Sequence, residues 1–105
     1  MAWWYLIGAG LFEIVWASSL KFTEGFTKLW PTLGTLTAMI VSVALLAEAL
    51  KTIPVGTGYA VWTGVGAAGT AAVGMLFFGE SKELIRLVYL LVIVGGIVGL
   101  KLSTP

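Results

Sequence analysis

Four apolar runs separated by three short polar breaks account for almost the whole chain. The runs cover about residues 2–20, 30–50, 55–78 and 84–102. Each is close to the length at which a helix, rising ~1.5 Å per residue, crosses a hydrocarbon core ~30 Å thick. The pattern predicts an all-α membrane protein, one domain (1–105) of four transmembrane helices. The first break, Lys21-Phe22-Thr23-Glu24-Gly25-Phe26-Thr27-Lys28, is polar and has a lysine at each end. Trp30 and Pro31 reopen a helix, the proline suited to a first turn and the indole to an interfacial belt. Lys51-Thr52-Ile53-Pro54 is the second break and Gly79-Glu80-Ser81-Lys82-Glu83 the third. The first run has no basic stretch before it and is long for a signal segment, so it is expected to stay as the first span. The tail Ser103-Thr104-Pro105 is expected in water.

Composition agrees. Of 105 residues, 59% are hydrophobic and only 10% charged, where a soluble domain carries about 25%. Mean hydropathy is +1.03. Four spans leave no length for a separate soluble domain. The chain has no cysteine and no histidine, which removes disulfides, thiolate chemistry and the commonest metal ligand and general base. No cofactor is expected. Ser42 is the only mid-span serine of the last three runs and has no base beside it in the sequence, so an enzyme is not expected either. A net charge of +1 without a basic cluster gives no reason to expect a nucleic-acid partner.

The chemistry is concentrated at Glu13, the only charged side chain between Trp3 and Leu20. It lies roughly 11–15 Å from either end of that stretch, near the middle of a bilayer. A carboxyl group there costs roughly a few kcal/mol or more to insert, and such residues normally face a partner, a cavity or an ion pathway. The alternative is a protonated glutamic acid that only hydrogen-bonds a neighbouring helix. In the second span Gly34, Thr35, Thr37 and Ala38 are small enough for close helix contact, and Ser42 is near mid-span. Glu48 and Lys51, three residues apart, are expected to pair at the membrane surface. In the third span Tyr59, Trp62, Thr63 and Gly66 recur at helical spacing on one stripe. Gly64-Val65-Gly66 has two readings, a helix flexure or tight packing. In the fourth span Gly95 and Gly99 form a G-x-x-x-G pair, the pattern of a close helix–helix contact. With no polar atom in mid-membrane, that span is expected to serve dimerisation. Arg86, in its first turn, can snorkel to the interface.

Orientation is weakly specified. Lys21, Lys28, Lys82 and Arg86 fall on the side of the first and third breaks; Lys51, Lys101 and the amino terminus fall on the other. Such charges normally set topology, and so small an imbalance lets either orientation insert. Many transporters enclose a midplane site between inverted halves. Two copies inserted oppositely would make such a pair and bring two Glu13 side chains together. Two bare carboxylates in lipid are unfavourable, so protons or a dissolved cation would satisfy them. That is the outline of a proton/cation exchanger, an antiparallel, dual-topology homodimer.

The chain resembles the small multidrug resistance family over essentially its whole length. The resemblance rests on the four short spans, the mid-span Glu13, Lys21-Phe22 followed by Glu24-Gly25-Phe26-Thr27, and Trp30-Pro31. Its most specific part is Pro54-x-Gly56-x-x-Tyr59-Ala60-x-Trp62-x-Gly64-x-Gly66. The resemblance implies a bacterial inner-membrane antiparallel homodimer that exchanges protons for cationic substrates at a pair of Glu13 carboxylates. The proton gradient would be its energy source.

Within that family, Phe12-Glu13-Ile14-Val15-Trp16-Ala17 looks like the guanidinium-exporting branch, as does Lys51-Thr52-Ile53-Pro54-Val55-Gly56-Thr57. The multidrug branch typically has glycine where Trp16 stands. By resemblance, Glu13 binds guanidinium and protons, while Trp16, Ser42, Tyr59 and Trp62 line the site or orient the carboxylates. Gly10, one turn before Glu13, would leave room for substrate. Guanidinium and small substituted guanidines suit such a site, because the planar fork of N–H donors matches a carboxylate in two parallel bonds. Lys28-Leu29-Trp30-Pro31 is closer to the multidrug branch, which keeps export of quaternary ammonium or other lipophilic cations as an alternative. A non-transporting membrane interaction or regulatory peptide is a second alternative, and it leaves Glu13 without a purpose.

Overall fold

The computed structural model describes residues 1–103; Thr104 and Pro105 of the expected tail lie outside them. The described chain forms four α-helices: α1 (Ala2–Ser19), α2 (Leu29–Ala49), α3 (Val55–Phe77) and α4 (Leu84–Ser103). All four are long and apolar enough to cross a membrane. α1 lies between α2 and α3, and α4 packs along α3. The result is a slab of 43 × 35 × 17 Å. Its thin dimension is less than two helix diameters of ~10–12 Å, so each helix leaves much of its surface to lipid or to another chain.

The core is small and lies toward the end of the slab that carries the break between α2 and α3. Leu6, Ala9, Leu46, Ala49, Ile53 and Val61 are buried there, with Trp3, Trp62, Val65 and Ile97 packed around them. α4 has no buried residue. Besides its packing on α3, it places the Lys101 ammonium 5.3 Å from the ring centre of Trp3. Cβ atoms built at Gly95, Gly96 and Gly99 would meet nothing within 4 Å. These glycines thus have no close neighbour in the chain, and Gly96 and Gly99 border an open groove beside Ala60 and Gly64 of α3.

The breaks are held by local bonds. After a 3-10 turn at Leu20–Thr23, Glu24, Gly25 and Phe26 are all left-handed, with φ of 48°, 72° and 68°. Thr23 stabilises this strained run: its hydroxyl donates to Leu20 O (2.8 Å) and accepts from Phe26 N–H (3.2 Å). Phe22 packs tilted against Phe78, ring centres 5.7 Å apart, and the Lys21 ammonium stands over the same Phe78 ring. The first break is thereby fastened to the C-terminal end of α3. At the second break, Lys51 pairs with Glu48 at 3.1 Å. Pro54 precedes α3 and accepts the Gly58 N–H at 2.8 Å. At the third, Gly79 turns the chain with φ 71°, and Gly74 O accepts both Phe78 N–H (3.0 Å) and Glu80 N–H (3.1 Å).

Candidate functional site

α1 and α3 interlock through three glycines. Val65 of α3 fills the notch at Gly10 of α1, Ile14 of α1 fills the notch at Gly69, and the Glu13 side chain lies against Gly66. At each position a Cβ would overlap the neighbour. The contact brings the Glu13 carboxylate up to the α3 backbone, midway along both helices. α3 runs unbroken through Gly64 and Gly66. Gly64 packs on Ile97 and Gly66 on Glu13. Both glycines are therefore in close contact in this structure. The room at Gly10 is likewise taken, within the single chain, by Val65.

Glu13 opens onto a cleft of about 340 Å³ between α1 and α3. Thr63, Gly66, Ala67, Thr70 and Ala71 form its α3 wall, Ala17 its α1 wall, and Glu80 its far end. The wall residues recur three and four apart on one face of α3. Among the described residues, Glu13 Oε1 is buried without a hydrogen-bond partner, as are Thr70 Oγ1 and Trp16 Nε1. An unpaired buried carboxylate oxygen is unfavourable, and this one has room for a donor or a proton.

A second set of residues lies one turn along α1 from Glu13. Ser42 is fully buried; its hydroxyl donates to Ala9 O at 2.7 Å and accepts from the Trp62 indole N–H at 3.0 Å. Tyr59 tilts against Trp62, ring centres 5.7 Å apart. In the single chain the Ser42 hydroxyl and Trp62 indole thus bond to each other and to the α1 backbone, and neither bonds to Glu13 Oε1. Ser42 of α2 joins α1 and α3 at one point. Ser42→Ala would leave the Trp62 N–H unpaired, at a cost of about 1–3 kcal/mol. The expected result is a drop of several degrees in the detergent melting temperature. Ser42→Thr, which keeps the hydroxyl, should recover part of it.

Thr70, Ala17, Ala67, Ala71 and Glu80 were not among the residues expected at the site. The stripe Tyr59, Trp62, Thr63, Gly66 extends naturally to Ala67, Thr70 and Ala71 at the same spacing, so the sequence held a signal for the cleft wall. It held none for Glu80, which reaches the cleft only because the chain turns back at Gly79.

Comparison with known proteins identifies the family. A family model described as "Small Multidrug Resistance protein" matches residues 1–93. The chain belongs to the small multidrug resistance family. It is a multi-pass membrane protein of a transporter family. The "Guanidinium exporter" of Escherichia coli (strain K12) is 59% identical over 104 residues, covering 99% of each chain. The proteins of that name from Citrobacter freundii and Salmonella typhimurium are each 58% identical over the same length and share. These small multidrug resistance relatives are named as exporters, not as enzymes.

Proposed function

We propose that the protein is a proton-coupled antiporter that exports guanidinium, and small substituted guanidines, from the bacterial cytoplasm across the inner membrane. Two chains of opposite orientation form the working dimer and bring their Glu13 carboxylates to a shared midplane site. Protons and substrate compete for that pair, and the dimer exposes it alternately to either side. The observation that carries this reading is Glu13 itself: the only charged side chain of α1, in mid-membrane, against Gly66, with an unpartnered oxygen and an open cleft beside it. The relatives' printed name supplies the cation.

The chemistry fits. A guanidinium ion offers donors in a rigid plane that a carboxylate accepts in pairs. Return of the empty dimer would move bare buried charge, which lipid disfavours, so reorientation follows only binding of protons or cation. Gly95 and Gly99 of α4, with no close neighbour in the chain, suit the close helix contact of a dimer. Gly99→Leu should shift the protein toward monomer in cross-linking; an unchanged dimer fraction would place the contact elsewhere.

Proteoliposomes with an imposed pH gradient test the function. Radiolabelled guanidinium should accumulate on the acidic side, and collapse of the gradient should release it. Exchange of quaternary ammonium ions without guanidinium would turn the reading to the multidrug alternative. Gradient-independent behaviour toward every cation would turn it to the non-transporting one.

A further inference from the structure

The cleft at Glu13 ends at a second carboxylate, and two glycines aim it there. Gly79, at φ 71°, reverses the chain. The Glu80 N–H then bonds to Gly74 O at 3.1 Å. The Glu80 carboxylate lies on Gly74, where any Cβ would overlap it. Glu13 lies on Gly66 in the same way. The two seats are eight residues apart on α3, about 12 Å at the helical rise.

Between them the cleft wall is small, with Ala67 and Ala71, and carries the Thr70 hydroxyl; Thr63 lies just beyond Gly66. A threonine in a helix commonly bonds back to the carbonyl four residues earlier, as Thr37 does to Leu33 O at 2.8 Å. Thr70 does not: among the described residues its buried hydroxyl has no partner. It is left available to whatever occupies the cleft.

Glu80 already holds a guanidinium. Arg86 Nη2 donates to Glu80 Oε1 at 3.2 Å, and Arg86 Nη1 donates to Ser81 O at 3.0 Å. Both side chains are partly exposed, the arginine by 37% and the glutamate by 48%. An exposed pair of this kind contributes little to stability, so a cation from solution can take the arginine's place. The carboxylate, its glycine seat and its guanidinium occupant thus stand at the water-facing end of the cleft that leads to Glu13.

We propose that Glu80 is an entry site for guanidinium, held in the resting protein by the chain's own Arg86. The incoming cation displaces Arg86 from Glu80 and passes along the Ala71–Thr70–Ala67 wall to Glu13. This rests on the guanidinium-exchange reading of Glu13 and extends it to a second carboxylate.

Initial rates of guanidinium exchange in proteoliposomes test it, with equilibrium guanidinium binding in detergent measured alongside. Glu80→Gln should raise KM on the order of tenfold by removing the local concentrating charge, with maximal rate and equilibrium affinity near wild type. Arg86→Gln should lower KM by removing the competitor. Glu80→Asp should keep a KM between wild type and Glu80→Gln. Lys82→Gln removes the same charge two residues from Glu80 and should leave KM nearly unchanged. A merely structural role for the pair would move both partners' variants in the same direction, and that result would overturn the proposal. So would an unchanged KM in Glu80→Gln, or a fall in Lys82→Gln equal to that in Arg86→Gln. If wild type exchanges guanidinium and only these differences fail, the entry site alone is lost. A wild type that does not exchange guanidinium removes the underlying reading as well.

Discussion

Glu13→Gln is expected to abolish gradient-driven transport and to leave only weak residual guanidinium binding. The substitution keeps the side chain's shape and its seat on Gly66 while removing the charge and the ability to titrate. Each hydrogen bond to a charged group contributes about 1.5–3 kcal/mol, so losing the charge from a two-bond contact costs roughly 3 kcal/mol or more. At about 1.4 kcal/mol per tenfold, binding weakens by about a hundredfold at the least. Wild type should bind less tightly as pH falls, because a carboxylate that holds a proton no longer offers its charge to the cation. The residual binding of Glu13→Gln should not follow pH. Glu13→Asp keeps the charge on a side chain one methylene shorter, so it should bind weakly while keeping the competition with protons. Calorimetry or fluorescence titration of detergent-solubilised protein across pH reads all three. Strong, pH-independent binding by Glu13→Gln would place the site elsewhere.

The second large effect is expected from one methyl group. Gly66→Ala removes a glycine from the interior of α3, which by helix propensity alone should stabilise the helix by about 1 kcal/mol. The new Cβ, however, would occupy the volume of the Glu13 carboxylate, and the carboxylate must swing off its seat. A misplacement on the order of 1 Å at a reacting or binding group can reduce function about a hundredfold. The expected result separates the two quantities: helical content and melting temperature near or above wild type, guanidinium affinity down by about ten- to a hundredfold. Gly56→Ala is the control. It lies in the first turn of the same helix, where a Cβ would meet nothing within 4 Å, and it should leave affinity unchanged. Wild-type affinity in Gly66→Ala would mean that Glu13 does not use this seat when it binds.

Four membrane-capable helices were legible because span length and interruption are local properties. An apolar run of about twenty residues, closed by Lys28, Pro54 or the Gly79–Glu83 cluster, needs no knowledge of the other runs. Glu13 was legible for a related reason. The penalty of a carboxyl group in hydrocarbon depends on its depth in its own helix, which counting residues supplies. The pairing of Glu48 with Lys51 is equally local, three residues apart across the C-terminal end of α2.

Which way each helix turns about its axis was a tertiary decision. In a water-soluble bundle the polar face of a helix marks its outside. Here α1, α2 and α3 have apolar residues around their whole circumference and few polar ones, so apart from the Tyr59–Thr70 stripe of α3 periodicity does not tell the buried face from the lipid face. Only packing revealed that Gly66 is the seat of Glu13, that Gly10 is filled by Val65, and that Ser42 and Trp62 bond to each other. Those contacts depend on interhelical register, which is set by how notches and side chains on different helices fit together. The placement of Glu80 at the mouth of the Glu13 cleft is the clearest case. The sequence by itself determined a charged break after α3, whereas the left-handed turn at Gly79 and the bare backbone at Gly74 decided where its first carboxylate points.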